Sequence, residues 1–159
     1  MSELENILEL FKTNDEEVRL ELLLDFATRL PPIKAEQIAA RDAGGHRITG
    51  CITPVFLWMG EKQGVLTISG DAPAETPVVR GILSVLVHAL SERSVSEAVR
   101  IPDDLVDRLM LGEVVGLRRR QGIGALVGHI KEKAAELAAG SGQDRNTSQG
   151  TSNLEDDPF

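Results

Sequence analysis

The chemistry this chain can do begins with Cys51, its only cysteine, which stands directly after Gly50 and after a polar stretch holding Asp42, His46 and Arg47. A thiolate is the nucleophilic form of cysteine, and these neighbours make its setting polar. Gly50 permits a backbone conformation that other residues resist, so the pair suits a thiol presented at a loop tip. A lone cysteine in an apolar strand is also a common piece of packing, because the thiol behaves as a small hydrophobe. The absence of a second thiol separates the chemical options. A resolving cysteine would attack a persulfide, close a disulfide and release sulfide, so one cysteine suits storage and delivery of sulfur. Oxidation of an exposed Cys51 to sulfenic acid, as in a redox sensor, is a third option.

Other chemistries find less support. His46, His88 and His129 have no metal-ligand spacing with one another or with acids, and one cysteine excludes paired-thiol zinc sites, so neither a metal nor a cofactor is expected. His88 falls in an apolar segment, where a histidine satisfied within the core is the simpler expectation. Gly44-Gly45 lacks the lysine and the strand-to-helix setting of a phosphate loop.

Composition bounds the rest. With 159 residues, 42% hydrophobic and 26% charged, the chain can build one core and is short for two. Asp144, Glu155, Asp156 and Asp157 against Arg145 give the last twenty residues −3, leaving −5 of the total −8 on the body. Such a surface argues against nucleic acid as a partner, since phosphate-backbone affinity is built from Lys and Arg. No apolar run reaches the roughly 18–20 residues of a membrane span, and Met1–Leu10 is acidic and Leu-rich, unlike a secretion signal. A cytoplasmic protein without a membrane partner is expected.

The elements that must position Cys51 follow from periodicity and punctuation. Ser2 to Arg29 reads as helix interrupted near Thr13–Asp15, where Asn14 or Asp15 can cap the second half; Pro31 and Pro32 end it. Arg41 to Gly50 reads as a surface loop feeding a strand over Cys51–Met59. A second strand, Gly64–Ser69, follows a short Gly-bounded link and completes a hairpin. Within the first strand, Phe56 and Trp58 alternate with Val55 and Leu57, so one face should be core. Pro77 to Leu90 is apolar almost all round, as for a helix buried against that sheet, and Asp71, Glu75 and Pro77 mark its approach. Ser94–Val99 and Pro102–Met110 are a short and a medium helix, and Gln121–Ala139 is the last. Gly122, Gly124 and Gly128 each cost that helix about 1 kcal/mol relative to Ala, so close approach of another backbone is the expected compensation. The fold class is therefore α+β: a small antiparallel sheet flanked by helices over 1–139, then an acidic tail over 140–159 with little to bury and expected to be disordered.

The run Ile48-Thr49-Gly50-Cys51-Ile52-Thr53-Pro54-Val55-Phe56 resembles the active-cysteine segment of the SufE family: apolar, any, Gly, Cys, any, Ser, any, Val, aromatic. Leu30-Pro31, Gly70-Asp71-Ala72 with Val78-Val79-Arg80-Gly81-Ile82, and Arg119-Arg120-Gln121-Gly122-Ile123 resemble further family segments in the same order, over about residues 5 to 137. Thr53 replaces the usual serine, Phe56 the common tryptophan, and Glu113-Val114-Val115 lacks an expected histidine. The resemblance implies a SufE-like fold with Cys51 as persulfide acceptor on a loop that swings from an apolar shelter, supported by Gly50, Arg119 and Asp71. It implies a SufS-like, pyridoxal-phosphate-dependent cysteine desulfurase as donor and a SufB-type scaffold as recipient. The chain would then be a sulfur-transfer accessory and desulfurase activator for iron–sulfur cluster assembly, and no stand-alone enzyme. The alternative from another class is an interaction module whose acidic surface binds a basic partner.

Overall fold

Two glycine-permissive positions set the sheet. Gln63 and Gly64 both take positive φ, +57° and +81°, and this two-residue turn matches the twist of antiparallel strands. It joins β1 (Phe56–Lys62) to β2 (Val65–Asp71) in a register running from Lys62 opposite Val65 to Phe56 opposite Asp71. The computed structural model describes residues 2–12 and 15–155, and their side chains apart from those of Glu113 and 141–155.

Seen along the chain, α1 (Glu3–Lys12), α2 (Glu16–Thr28) and α3 (Ala35–Asp42) precede the hairpin. After it come α4 (Pro77–Leu90), α5 (Val95–Val99), α6 (Leu105–Arg108), α7 (Gly112–Val115) and α8 (Leu117–Glu155). The α1–α2 break falls where expected: the Asp15 carboxylate accepts from the Val18 amide at 3.0 Å and caps α2, while Thr13 and Asn14 lie outside the described residues.

The centre is α4. Ile82, Leu83, Val85 and Leu86 have no exposed surface, and each such side chain contributes about 1.5–3 kcal/mol on burial. One side of α4 meets β2, and the other meets α1 and α2, where Phe11 and Phe26 stack at 6.2 Å. His88 near its end points its Nε2 at the Arg29 carbonyl, 3.0 Å away, so the imidazole has a backbone partner, but it lies half-exposed at the rim of the core and not within it as expected.

A two-stranded hairpin is marginal alone, and here both edges are covered. Beyond β2, the Leu66 amide donates to the Arg93 carbonyl and the Glu92 amide to the Leu66 carbonyl. Beyond β1, the Ile48 amide donates to Val55 (2.8 Å) and the Leu57 amide to His46 (3.0 Å). This second edge corrects the expected strand over Cys51–Met59. Pro54 has no amide hydrogen to give a ladder, and pairing begins only past it, at Phe56.

Other boundaries also differ from expectation. Arg41 and Asp42 belong to α3, which its polar composition concealed: it buries none of its residues. Polar bonds hold it instead, from Gln37 Nε2 to Ser69 Oγ (2.9 Å) and from Arg41 to Asp71 (2.8 Å). The second loop helix is only Leu105–Arg108, and α7 had no periodic signal over its four residues. The last helix starts at Leu117 and extends beyond Ala139. The expectation of a disordered tail over 140–159 falls mainly on residues whose side chains (141–155) or whole placement (156–159) lie outside the described residues.

Candidate functional site

Residues 49–54 form a loop whose two ends are nailed down. Ile48 and Val55, 2% and 0% exposed, insert into the core on either side, and the paired amides at its base hold the stems together. Between them the chain turns at Thr49-Gly50 and carries Cys51 across the beginning of α8.

Glycine is needed twice in this crossing. Gly50 has φ +90°, and a Cβ there would stand 3.2 Å from the Cβ of Ala125. On the helix side, a Cβ at position 122 would lie 2.9 Å from Cys51 Sγ, closer than real Cβ contacts come. The thiol thus nests against the bare backbone of Gly122. Of the three glycines for which close approach was expected, Gly122 alone has it; nothing lies within 4 Å of a Cβ built on Gly124 or Gly128.

Cys51 is half-buried, packed against the rim of the core, and in no disulfide. Burial pushes its thiol up from the ordinary value, because desolvation penalises the thiolate. Two groups act in the opposite sense: the Thr53 backbone N–H, which hydrogen-bonds the sulfur, and the positive charge of Arg47. The site therefore stores a neutral, partly sheltered thiol beside groups that stabilise its anion. Next to it, Ile52 is 76% exposed, a large apolar side chain offered to solvent at the loop tip.

Arg119 sits in the first turn of α8, three residues before Gly122, so a helical rise of about 1.5 Å per residue places it roughly one turn from the thiol's resting place. Both Arg118 and Arg119 are exposed and have no ion-pair partner among the described residues, whereas Arg120 binds Asp107 at 2.7 Å. Leu117, 73% exposed, opens the same helix.

Asp71 is placed differently from a helix cap. It ends β2 and receives Arg41 from α3 (2.8 Å) and Arg80 from α4 (3.2 Å), while Thr76 holds the N-cap position of α4. It is opposite Phe56, whose other neighbour is Arg47 at the loop base. Its contacts tie the helix before the cysteine loop to the sheet. Of the residues named from sequence, Gly50, Cys51 and the start of α8 come together directly, and Asp71 stands behind them as a tie. Sequence reasoning missed Ala125, Arg41, Ile52 and Leu117; an aspartate with two arginines in reach gives no periodic signal.

Among the described residues, no three His, Cys, Asp or Glu side chains converge as metal ligands would, and no helix is long and apolar enough to cross a membrane.

A small α+β protein that displays one half-sheltered thiol on a pinned loop is the class that fold and site define. The model of the SufE family, described as an Fe-S metabolism associated domain, matches residues 5–134, and the chain belongs to that family. An uncharacterized SufE-like protein of Mycobacterium tuberculosis is 28% identical over 119 residues, covering 74% of this chain and 81% of that one. The SufE-like protein 1, chloroplastic/mitochondrial, of Arabidopsis thaliana is 24% identical over 92% of this chain and 38% of its own length. The solution structure of a hypothetical protein from Thermus thermophilus shares the fold with a TM-score of 0.73 at 24% identity, covering 87% of this chain and 99% of that one.

Proposed function

We propose that Cys51 accepts sulfane sulfur from a SufS-like cysteine desulfurase, raises that enzyme's turnover, and hands the sulfur to a SufB-type scaffold for iron–sulfur cluster assembly in the cytoplasm. The observation that carries this reading is the nesting of the sole thiol on Gly122 within a loop anchored at both stems. The thiol has shelter without being sealed in.

The chemistry is thiol exchange. The Cys51 thiolate attacks the outer sulfur of the donor persulfide, a new S–S bond forms, and the donor cysteine leaves as thiolate. Burial is the larger influence on the thiol, so a loop movement that lifts it off Gly122 into water weakens that influence and leaves the Thr53 amide and Arg47 to favour the thiolate. Exposed Ile52 and Leu117 supply apolar contact around the sulfur, and Arg119 supplies a fixed cation for a partner carboxylate. Asp71 keeps α3 registered on the sheet so that the loop stems stay put. With no second cysteine in the chain, no internal thiol intercepts the cargo.

The test is incubation with the cognate desulfurase and cysteine, followed by intact-protein and peptide mass spectrometry. One added sulfur on the Cys51 peptide is expected, and Cys51→Ala should fold normally yet lose all stimulation of desulfurase turnover. A variant that still stimulates fully would show that binding without sulfur transfer suffices, as in an interaction module.

A further inference from the structure

A cavity lies beside the base of the cysteine loop. It has a volume of about 290 Å³ and a floor formed by Leu57 and Met59 on one face of β1. From the loop side it is lined by His46 and Arg47, and from α8 by His129, Lys133 and Glu136. The three α8 residues follow one another at i, i+4 and i+7, so a single stripe of the helix faces the cavity.

The charge arrangement is unusual for this chain. Its total is −8, yet here two fixed cations and two imidazoles face one carboxylate. Several basic side chains elsewhere are spent on acidic partners, Arg41 and Arg80 on Asp71, Arg93 on Glu97, Arg108 on Asp104 and Lys131 on Asp103, while Arg118 and Arg119 are unpaired but lie on the exposed start of α8 outside this cavity. Arg47 and Lys133 have no ion-pair partner among the described residues, and Glu136 makes no salt bridge with Lys133 although both line the same space. Two cations without ion-pair partners lining one concave site with an apolar floor are what a small organic anion requires. His46 is held for this role by an uncommon backbone conformation, φ +62°, with its ring stacked on Trp58 at 5.3 Å.

We infer that this cavity binds a small organic anion bearing carboxylate or phosphate groups, with Arg47 and Lys133 as its charge partners and His46 and His129 as hydrogen-bond partners. The inference stands on the cavity and its lining and is independent of sulfur transfer by Cys51.

Trp58 is the only tryptophan, and its contact with His46 makes it the reporter. The full chain is titrated with succinate, with inorganic phosphate, and with chloride at matched ionic strength, following Trp58 fluorescence. A saturable change with succinate or phosphate and none with chloride is expected; succinate alone marks a carboxylate site and phosphate alone a phosphate site. Lys133→Gln should weaken the affinity about tenfold or more, the usual scale for losing a charge-assisted hydrogen bond. Arg108→Gln, which removes a cation remote from the cavity lining, should leave it unchanged. A flat response to both anions, a chloride response of equal size, or an undiminished affinity in Lys133→Gln with unaltered circular dichroism would overturn the inference.

Discussion

Gly122→Ala is the perturbation that most directly interrogates the nest under Cys51. Two terms oppose each other. Replacing glycine by alanine within a helix gains about 1 kcal/mol. The new methyl would stand 2.9 Å from Cys51 Sγ, well inside the roughly 3.5–4.0 Å optimum for non-bonded contact, and overpacking of that kind costs about 1–3 kcal/mol. Relief is available, because the sulfur sits on a half-exposed loop residue and can rotate outward. The net change in stability should therefore be within about 1 kcal/mol of zero or mildly destabilising, while the expelled thiol should react with iodoacetamide several-fold faster than in the parent. In a Cys51→Ala background the clash vanishes, since the remaining Cys51 backbone and Cβ atoms lie 3.6 Å away, ordinary contact. There Gly122→Ala should stabilise by about the full 1 kcal/mol of helix propensity. Urea denaturation of the four proteins closes a double-mutant cycle, and a coupling of about 1–3 kcal/mol is expected. Equal effects of Gly122→Ala in both backgrounds, with no change in thiol reactivity, would refute the nesting of Cys51 on that glycine.

Three further outcomes follow from the geometry. Gly50→Ala must adopt φ +90° against the Ala125 methyl, and urea titration should show a loss of about 1–3 kcal/mol, as for a non-glycine residue in a sparsely populated backbone region. Ser84→Ala should stabilise by roughly 1 kcal/mol in the same assay, because the Ser84 hydroxyl is fully buried on α4 without a hydrogen-bond partner among the described residues. Burial raises the folded-state value of the Cys51 thiol, so protonation is favoured on folding; that contribution is complete below the unfolded-state value and is lost as pH rises through the folded one. The stability advantage of the parent over Cys51→Ala should shrink on moving from neutral to alkaline buffer, and the alkylation rate should climb with a midpoint displaced to higher pH than that of free cysteine. A pH-independent stability difference would contradict the direction of the shift.

Much of the fold was legible because its signals are local. The all-round apolarity of Pro77–Leu90 identified the buried helix, and Asp15 announced the start of α2 through its cap. The strand boundary at Cys51 failed because β-branched and aromatic residues looked continuous, whereas Pro54 and the anchoring of Ile48 opposite Val55 turn the first half of that run into a loop. Helix α3 was invisible because it contributes nothing to the core and owes its position to side chains distant in sequence, Ser69 and Asp71. At the site, the cysteine and Gly50 were readable from their types. The partner glycine was only one of three equal candidates, since which face of α8 meets the loop is decided by packing.

The fastening of α3 has a mechanical meaning. A segment welded by buried hydrocarbon can leave its place only by tearing the interior open, whereas a segment pinned by a few water-competent bonds can lift and resettle while the rest stays solid. Helix α3 is of the second sort, joined through Gln37 and Arg41. Movement of α3 can thus be tuned by solvent, salt or a visiting surface at a cost set by that polar seam, while Ile48 and Val55 keep the stems of the cysteine loop fixed in the hydrocarbon interior.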